Sequence, residues 1–214
     1  MHQTVKKRPY VSPKRQAKAA ETRARTLAAA SQMFLDAGYA RTSTAAIAKA
    51  ARTSEANVFA MFGSKAELLL QVVFEHVRND PTFSMGDPAR WQGLIGKDRR
   101  ALATAELTAL VRRAHDRSWR IRTVAAAAAP DDDTVREAVA RGAQRRHDDC
   151  LWFVLEVLAV PEDRLEETAD ALWVLTNVEN YRLLVLDRGW APERYEQWLA
   201  AMISAALEDQ ENAH

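Results

Sequence analysis

Residues 43–62 read STAAIAKAARTSEANVFAMF, a stretch that predicts two short helices joined by a tight turn. Ser43 or Thr44 can cap the first helix, because a short hydroxyl side chain accepts a hydrogen bond from an unpaired amide of the first turn. Ser54 offers the same kind of cap to the second helix. Polar residues just before Ser54 interrupt the apolar pattern, and this interruption indicates the turn.

Each of these helices has a pair of apolar residues four positions apart, so that both members lie on one face. The first pair is Ile47 and Ala51, and the second is Val58 and Phe62. Two short helices with facing apolar pairs are typical of a helix-turn-helix motif, whose second helix can enter the major groove of DNA. The exposed side of that second helix would carry Glu55, Asn57 and Phe59.

Charge is divided unevenly along the 214 residues. Residues 1–65 contain twelve Lys or Arg and three Asp or Glu, which gives this segment a net charge of +9. Because the whole chain carries +1, the remaining residues carry −8. A basic N-terminal segment ahead of an acidic body favours a polyanionic partner, whereas the bland alternative is a solubilising basic tail.

A longer series of residues runs from Thr22 to Leu70 and includes the motif. Its members are Arg25, Thr26, Leu27, Ala30, Phe34, Gly38, Tyr39, Thr42, Ser43, Ile47, Ala48, Ala51, Ser54, Val58, Phe59, Phe62, Ser64, Lys65 and Leu68. In residue type and spacing, this series resembles the DNA-binding domain of the tetracycline-repressor (TetR) family. The resemblance implies an all-α fold with an N-terminal three-helix helix-turn-helix domain and a C-terminal helical ligand-binding and dimerisation domain. It also implies a ligand-inducible, homodimeric transcriptional repressor of a palindromic double-stranded DNA operator, with a small-molecule effector.

Three positions depart from the family pattern. Arg52 stands at the turn position that the family usually gives to Gly, and a left-handed backbone there would cost about 1 kcal/mol relative to Gly. Phe59 lacks the hydroxyl that the usual aromatic residue brings to a phosphate. Glu55 either favours a cytosine amino group or stabilises the positive end of its helix.

The expected DNA contacts therefore come from the two helix starts, the exposed side of the second helix and the start of the fourth helix. They are Ser43, Thr44, Thr53, Ser54, Glu55, Asn57, Phe59 and Lys65. The family resemblance assigns Lys65 to an operator phosphate. Ser64 and Glu67 form a capping box that begins the fourth helix, and this helix is expected to act as the lever for induction.

The chain order predicts three parts: a basic flexible arm at 1–19, the DNA-binding domain at 20–80 and the helical body at 81–214. The arm would follow phosphates or enter the minor groove, or it is a disordered tail that adds non-specific affinity. Predicted helices lie at about 21–37, 43–51, 54–62, 64–78, 88–96, 98–116, 118–129, 132–159, 163–187 and 192–208, and no segment alternates with the period of a strand.

The last two predicted helices, 163–187 and 192–208, carry apolar stripes at helical spacing. Two such helices from each of two chains can form a four-helix bundle about a two-fold axis, and this region loosely resembles the dimerisation region of some TetR-type regulators. The alternative is that both stripes pack within one chain.

Seven residues of the body are candidates for effector binding, because they are aromatic or interrupt apolar helices with polar groups. They are Trp119, Arg146, Asp149, Trp152, Trp173, Asn177 and Tyr181. The alternatives are a packed aromatic core and a layer of salt bridges between helices or subunits.

Other classes of function have little support in the sequence. The single cysteine, Cys150, allows no intrachain disulfide, and with no visible signal peptide or membrane span it favours the cytoplasm, in association with the nucleoid. We expect no catalytic residues, no metal and no cofactor, since no nucleophile elbow, phosphate loop or zinc motif is present. The alternative function is a helical small-molecule-binding or interaction protein with a degenerate DNA-binding head.

Overall fold

The computed structural model describes residues 13–78 and 85–208, and within those residues the chain is helical with no strand. The predicted all-α fold is confirmed. The chain divides into two compact units, the N-terminal unit of residues 1–72 and the C-terminal unit of residues 73–214. The division falls within the fourth helix.

The N-terminal unit is built on four helices: α1 Pro13–Ala37, α2 Thr44–Ala50, α3 Glu55–Phe62 and α4 Lys65–Arg78. Its core contains both predicted apolar pairs, since Ile47, Ala51, Val58 and Phe62 are all buried. Further buried side chains from α1 and α4 complete the core: Ala30, Phe34, Leu68, Leu69 and Val72. The core therefore fixes α2 and α3 against the two longer helices of this unit.

Helix α1 starts earlier than the predicted position near residue 21. It begins at Pro13, because a proline in the first turn has no amide to leave unpaired and already has a helical φ. Residues 13–19 of the predicted arm are consequently helical, while residues 1–12 lie outside the described residues. Helix α1 ends as predicted, just before Gly38, whose φ of 80° requires the left-handed region.

In the described part of the C-terminal unit, residues 73–78 and 85–208, six α-helices follow α4 and are joined by turns and short 3-10 or π-helical segments. The helices are α5 Pro88–Trp91, α6 Arg100–Ala128, α7 Asp133–Trp152, α8 Leu165–Leu175, α9 Val178–Tyr181 and α10 Pro192–Glu208. The 3-10 turns are Lys97–Arg99 and Glu162–Arg164, and the π-helical segments are Phe153–Val157 and Arg182–Asp187. A single large core joins these elements and includes Trp91, Leu107, Phe153, Tyr195 and Leu199.

Four predicted helices of this unit were wrong in extent: 88–96, 98–116, 118–129 and 163–187. The break expected near Asp116 is absent, because Asp116 accepts an i,i+4 hydrogen bond from Arg112 at 2.8 Å and α6 continues through it. The helix predicted at 88–96 ends at Trp91. The helix predicted at 163–187 is broken after Leu175, where Asn177 caps a new helix.

The apolar stripes of the last elements are shared between the chain's own core and the surface. Tyr195, Leu199 and Ile203 of α10 are buried within the chain, so this part of the stripe is intrachain core. Four large apolar side chains of the same region stay exposed: Val174, Leu183, Leu186 and Met202.

Candidate nucleic-acid interface and effector region

Both short helices of the motif start at a hydroxyl cap. The Oγ atom of Ser43 accepts a hydrogen bond from the amide of Ala46 at 3.2 Å, and Oγ of Ser54 accepts one from Asn57 at 3.1 Å. The predicted caps are therefore confirmed. They leave Ser43 and Ser54 exposed at the two helix starts, where backbone amides and the helix dipole attract anions.

The turn between α2 and α3 contains a strained residue. Arg52 has a φ of 53°, so this position adopts the left-handed backbone that glycine would accommodate more easily. The amide of Thr53 donates to the carbonyl of Ala48 at 3.0 Å and closes the turn. Arg52 is exposed, which leaves its guanidinium free to reach solvent or a phosphate.

The exposed side of α3 is organised by two side-chain hydrogen bonds. The Thr44 hydroxyl donates to the carboxylate of Glu55, and Nδ2 of Asn57 donates to Oγ1 of Thr53 at 2.8 Å. Phe59 is 45% exposed one turn further along the helix. This surface combines an acid, an amide and an aromatic ring, which between them can pair with base edges and contact a thymine methyl group.

Lys65 lies at the start of α4, whose first turn is capped by Ser64 through a 3.0 Å hydrogen bond from the amide of Glu67. Its Nζ donates to the carbonyl of Tyr39 at 3.1 Å and lies 4.1 Å from the centroid of the Tyr39 ring. Tyr39 thus orients the ammonium group, a role that sequence reasoning missed because the two residues are far apart along the chain.

The residues of this motif match a known family. Residues 27–72 match the family of bacterial regulatory proteins called tetR. This match lies within the N-terminal unit and includes α2, α3 and the first part of α4. A comparison with curated proteins gives no match.

Several solved structures share the fold. One is NalD of Pseudomonas aeruginosa, the secondary repressor of the MexAB-OprM multidrug efflux pump, with 22% identity, a TM-score of 0.61, and coverage of 88% of this chain and 97% of NalD. A transcriptional regulator from Rhodococcus sp. Rha1 has 16% identity and a TM-score of 0.62 over 87% of this chain and 96% of its own.

A third similar structure is a transcriptional regulator from Saccharomonospora viridis in complex with choline. Its identity is 20% and its TM-score 0.57, over 86% of this chain and 96% of its own. At these identities the likeness establishes the fold alone. Together, this fold and the family match over residues 27–72 support a DNA-binding transcriptional regulator.

Two of the seven effector candidates meet directly in the C-terminal unit. Nη1 of Arg146 donates to the carbonyl of Trp173 and, at 3.3 Å, to the hydroxyl of Thr176. The same guanidinium lies 4.8 Å from the centroid of the Trp173 ring. The Trp173 indole in turn donates from Nε1 to the carbonyl of Ala143 at 3.2 Å.

The other candidates lie apart from this pair. Tyr181 is buried, donates its hydroxyl to Asp116 and packs edge-on against Tyr195 at 5.1 Å between centroids. Trp119 and Trp152 are half-buried against the main core. The polarity of Asn177 has a structural cause, because Oδ1 accepts from the amide of Glu179 at 3.0 Å as the cap of α9.

Asp149 is half-buried on α7, where burial and the neighbouring Asp148 raise the pKa of its carboxyl group. A Cβ atom placed on Gly86 would lie only 2.8 Å from Oδ1 of Asp149. The carboxyl group therefore packs closely against the backbone of Gly86, and any side chain at residue 86 would displace it.

An apolar recess of about 10 Å³ lies elsewhere in the unit and has none of the seven candidates in its wall. This volume is at most that of one water molecule. The recess is lined by Val154, Leu158, Thr168, Leu172, Leu175, Ile203, Ala206 and Leu207.

His115 and Arg122 lie near the Arg146–Trp173 pair and were not among the residues predicted from the sequence. His115 is buried, and its Nε2 lies 3.2 Å from the carbonyl of Thr176. Burial and the nearby Arg122 lower the pKa of His115 to about 3, so the ring is neutral. Burial and Arg146 lower the pKa of Arg122 to about 10. His115 and Arg122 are seven positions apart on one face of α6, and this spacing is the sequence signal that could have indicated them.

Within the described residues, no group of three or more His, Cys, Asp or Glu side chains is arranged to hold a metal ion. Across residues 13–78 and 85–208, no single helix is long and apolar enough to cross a membrane. The bent pair of Glu55–Phe62 and Lys65–Val77 meets that criterion only when its two helices are counted together, by length and composition.

Proposed function

We propose that this chain is a ligand-inducible repressor that binds a palindromic operator as a homodimer. Each subunit would insert α3 into the major groove of one half-site, with Asn57 and Phe59 at the base edges. The observation that carries this proposal is the exposed, hydroxyl-capped helix pair α2–α3, held on a fully buried core. The other expected DNA contacts would lie beside the same groove: Ser43, Thr44, Thr53, Ser54, Glu55 and Lys65.

Electrostatics supports the same proposal. Residues 1–65 carry a net charge of +9, whereas the rest of the chain is acidic. Contacts between basic side chains and phosphates release counterions, so the affinity for a duplex should fall steeply as salt is added. Lys65, held next to the Tyr39 ring, would make one such contact.

Dimerisation would use the region of residues 163–187 and 192–208. The exposed Val174, Leu183, Leu186 and Met202 come from this region and support an apolar interface. A second copy of the chain would cover them about a two-fold axis, since homodimers with isologous interfaces are the commonest oligomers. Two half-sites would then be read at a fixed spacing.

Induction would work through α4, which belongs to both units along the chain. An effector that binds one conformation of the C-terminal unit better than another would shift the population of that conformation. The names of two similar proteins, one a repressor of an efflux pump and one crystallised with choline, support a small-molecule effector.

A gel shift with the DNA upstream of the protein's own gene tests this function. We expect a retarded complex at nanomolar to micromolar protein that is lost as salt rises, and selection from random oligonucleotides should return a two-fold symmetric sequence. Absence of any duplex binding would instead favour the second candidate, a helical ligand-binding protein with a degenerate head. The strained Arg52 and the hydroxyl-free Phe59 are the observations in favour of that candidate.

A further inference from the structure

We infer that the C-terminal unit takes a small oxyanion, an organic carboxylate or a phosphate, between Arg122 of α6 and Arg146 of α7. This inference rests on the proposed function, because it gives the chemical class of the effector. Three elements of the C-terminal unit meet at one residue, Thr176. His115 of α6 and Arg146 of α7 both contact Thr176, which directly follows α8. Arg122 lies two turns after His115, on the same face of α6.

The two guanidinium groups have no carboxylate partner within the described part of the chain. The ion pairs of the C-terminal unit there involve other arginines, such as Arg90, Arg112 and Arg182. Arg122 and Arg146 are both half-buried, burial lowers the pKa of each guanidinium group, and Arg146 lowers the pKa of Arg122 further. A partly buried charge without an oppositely charged partner loses some of its hydration, and a bound anion would offset this loss.

The unpaired N–H donors of the two arginines support the same site. An arginine has five N–H donors, and the hydrogen bonds that the structure gives Arg146 all come from Nη1. Its Nε and Nη2 have no acceptor among the described residues, and neither does any nitrogen of Arg122. These nitrogens are not among the fully buried unpaired atoms, so a ligand that enters from solvent can reach them. A carboxylate or phosphate group is the acceptor that matches the planar guanidinium fork in two parallel bonds.

His115 adds an unpaired atom to the same region. Its Nε2 faces the Thr176 carbonyl, which identifies Nε2 as the donor of the neutral ring. Its Nδ1 is buried and has no hydrogen-bond partner. Because the neutral ring carries no charge, it does not offset the two arginines; a hydroxyl or amide next to the acidic group of a ligand would satisfy Nδ1.

Isothermal titration calorimetry of the full-length protein tests this inference without DNA. Sodium benzoate and inorganic phosphate serve as the two oxyanion probes, benzamide is the neutral analogue of benzoate, and choline is a cationic probe, all at one ionic strength. We expect benzoate, phosphate or both to bind with one site per chain. Benzoate alone would indicate an organic carboxylate, and phosphate alone an inorganic or ester phosphate. Benzamide and choline should bind at least tenfold more weakly.

Arg122→Met and Arg146→Met remove one cation each and keep most of the side-chain volume. Both should weaken the bound oxyanion at least tenfold, because each loses charge-assisted hydrogen bonds. Arg122→Met should also raise the melting temperature of the ligand-free protein, since an unpaired charge leaves the interior. Arg120→Met, on the exposed side of the same helix, is the matched control and should change neither property.

Two outcomes would overturn the inference. One is seen with the wild-type protein alone: neither oxyanion binds, or benzamide and choline bind as tightly as benzoate. The other is that Arg122→Met and Arg146→Met bind the oxyanion as the wild type does. DNA binding is measured separately: a protein that binds its operator but no oxyanion would refute this inference and leave the proposed repressor function intact.

Discussion

The hydroxyl group of Thr44 donates a hydrogen bond to the carboxylate of Glu55, and this bond joins the first residues of α2 and α3. The carboxylate also lies in the first turn of α3, where the positive end of the helix stabilises an anion. Glu55 therefore already has two structural roles within the motif. This favours the helix-end interpretation of Glu55 over the reading of a cytosine.

Glu55→Gln should raise affinity for duplex DNA by a few fold at low salt, and by a similar factor for every sequence. The amide keeps an acceptor for Thr44 while it removes a negative charge that faces phosphates. Fluorescence anisotropy on a set of unrelated duplexes measures the change, with Glu167→Gln in the C-terminal unit as the control. Loss of preference at a single cytosine would show instead that Glu55 reads that base.

Lys65→Ala should weaken binding to all sequences alike and lower the slope of log affinity against log salt by about one unit. The reason is the loss of one phosphate contact by an ammonium group that Tyr39 holds in place. Binding titrations at several salt concentrations measure the slope, and Arg120→Ala on α6 provides a control with the same change in net charge. An unaltered slope would remove Lys65 from the phosphate contacts.

Asn57→Ala should change the preferred base at one or two positions of the site. Its amide group is exposed near the start of α3, and the hydrogen bond from Nδ2 to Thr53 fixes its orientation. Selection from random oligonucleotides with wild type and variant compares the two preferences. If the variant binds every sequence more weakly by one common factor, Asn57 does not read bases directly.

Arg52→Gly should stabilise the protein by about 1 kcal/mol, because glycine adopts a positive φ without the cost of a Cβ atom. The φ of 53° at Arg52 locates this cost in the turn of the motif. Arg52→Ala is the matched control, since it removes the charge but keeps the Cβ atom. Chemical denaturation should show the gain for Arg52→Gly alone; equal stability of the two variants would mean that the turn is not strained.

Acid should destabilise the C-terminal unit through His115. Its folded-state pKa of about 3 lies below the ordinary value of 6.5, so between these values the unfolded chain binds a proton that the folded chain does not. Stability from this group is therefore lost as pH falls below about 6.5, by about 1.4 kcal/mol per pH unit.

The measurement is the free energy of unfolding at pH 7.5 and pH 5.5, for wild type and His115→Leu. The wild type should lose about 1.4 kcal/mol more than the variant between these two values. His115→Leu removes only this ring, so the difference between the two proteins isolates His115. Identical pH dependence in the two proteins would contradict the neutral, buried state of the ring.

Sequence patterns were most accurate where local chemistry decides the structure. The caps at Ser43 and Ser54, the apolar pairs of α2 and α3 and the left-handed end at Gly38 all depend on nearby residues, and all are confirmed. The predicted break near Asp116, which is absent, depends on context instead. Asp116 was expected to end a helix, but its partners Arg112 and Tyr181 hold it within α6.

The contacts that cross the fold were not accessible from the sequence. Lys65 and Tyr39 are 26 positions apart, and His115 and Thr176 are 61 apart, so no local pattern joins them. Asn177 was chosen for its polarity, yet it is the cap of α9. Arg146 and Trp173 were chosen separately and do meet, but Arg122, the second cation beside them, appears only once α6 and α7 are packed together.

The central claim is that a paired, basic helix-turn-helix unit binds duplex DNA. Its most direct test is titration of a fluorescent duplex from the upstream region with purified protein at 50 to 300 mM salt, with the mass of the complex measured by light scattering. We predict two chains per duplex and an affinity that falls steeply as salt rises. A monomeric protein, or one with no salt-dependent affinity for any duplex, would contradict the claim.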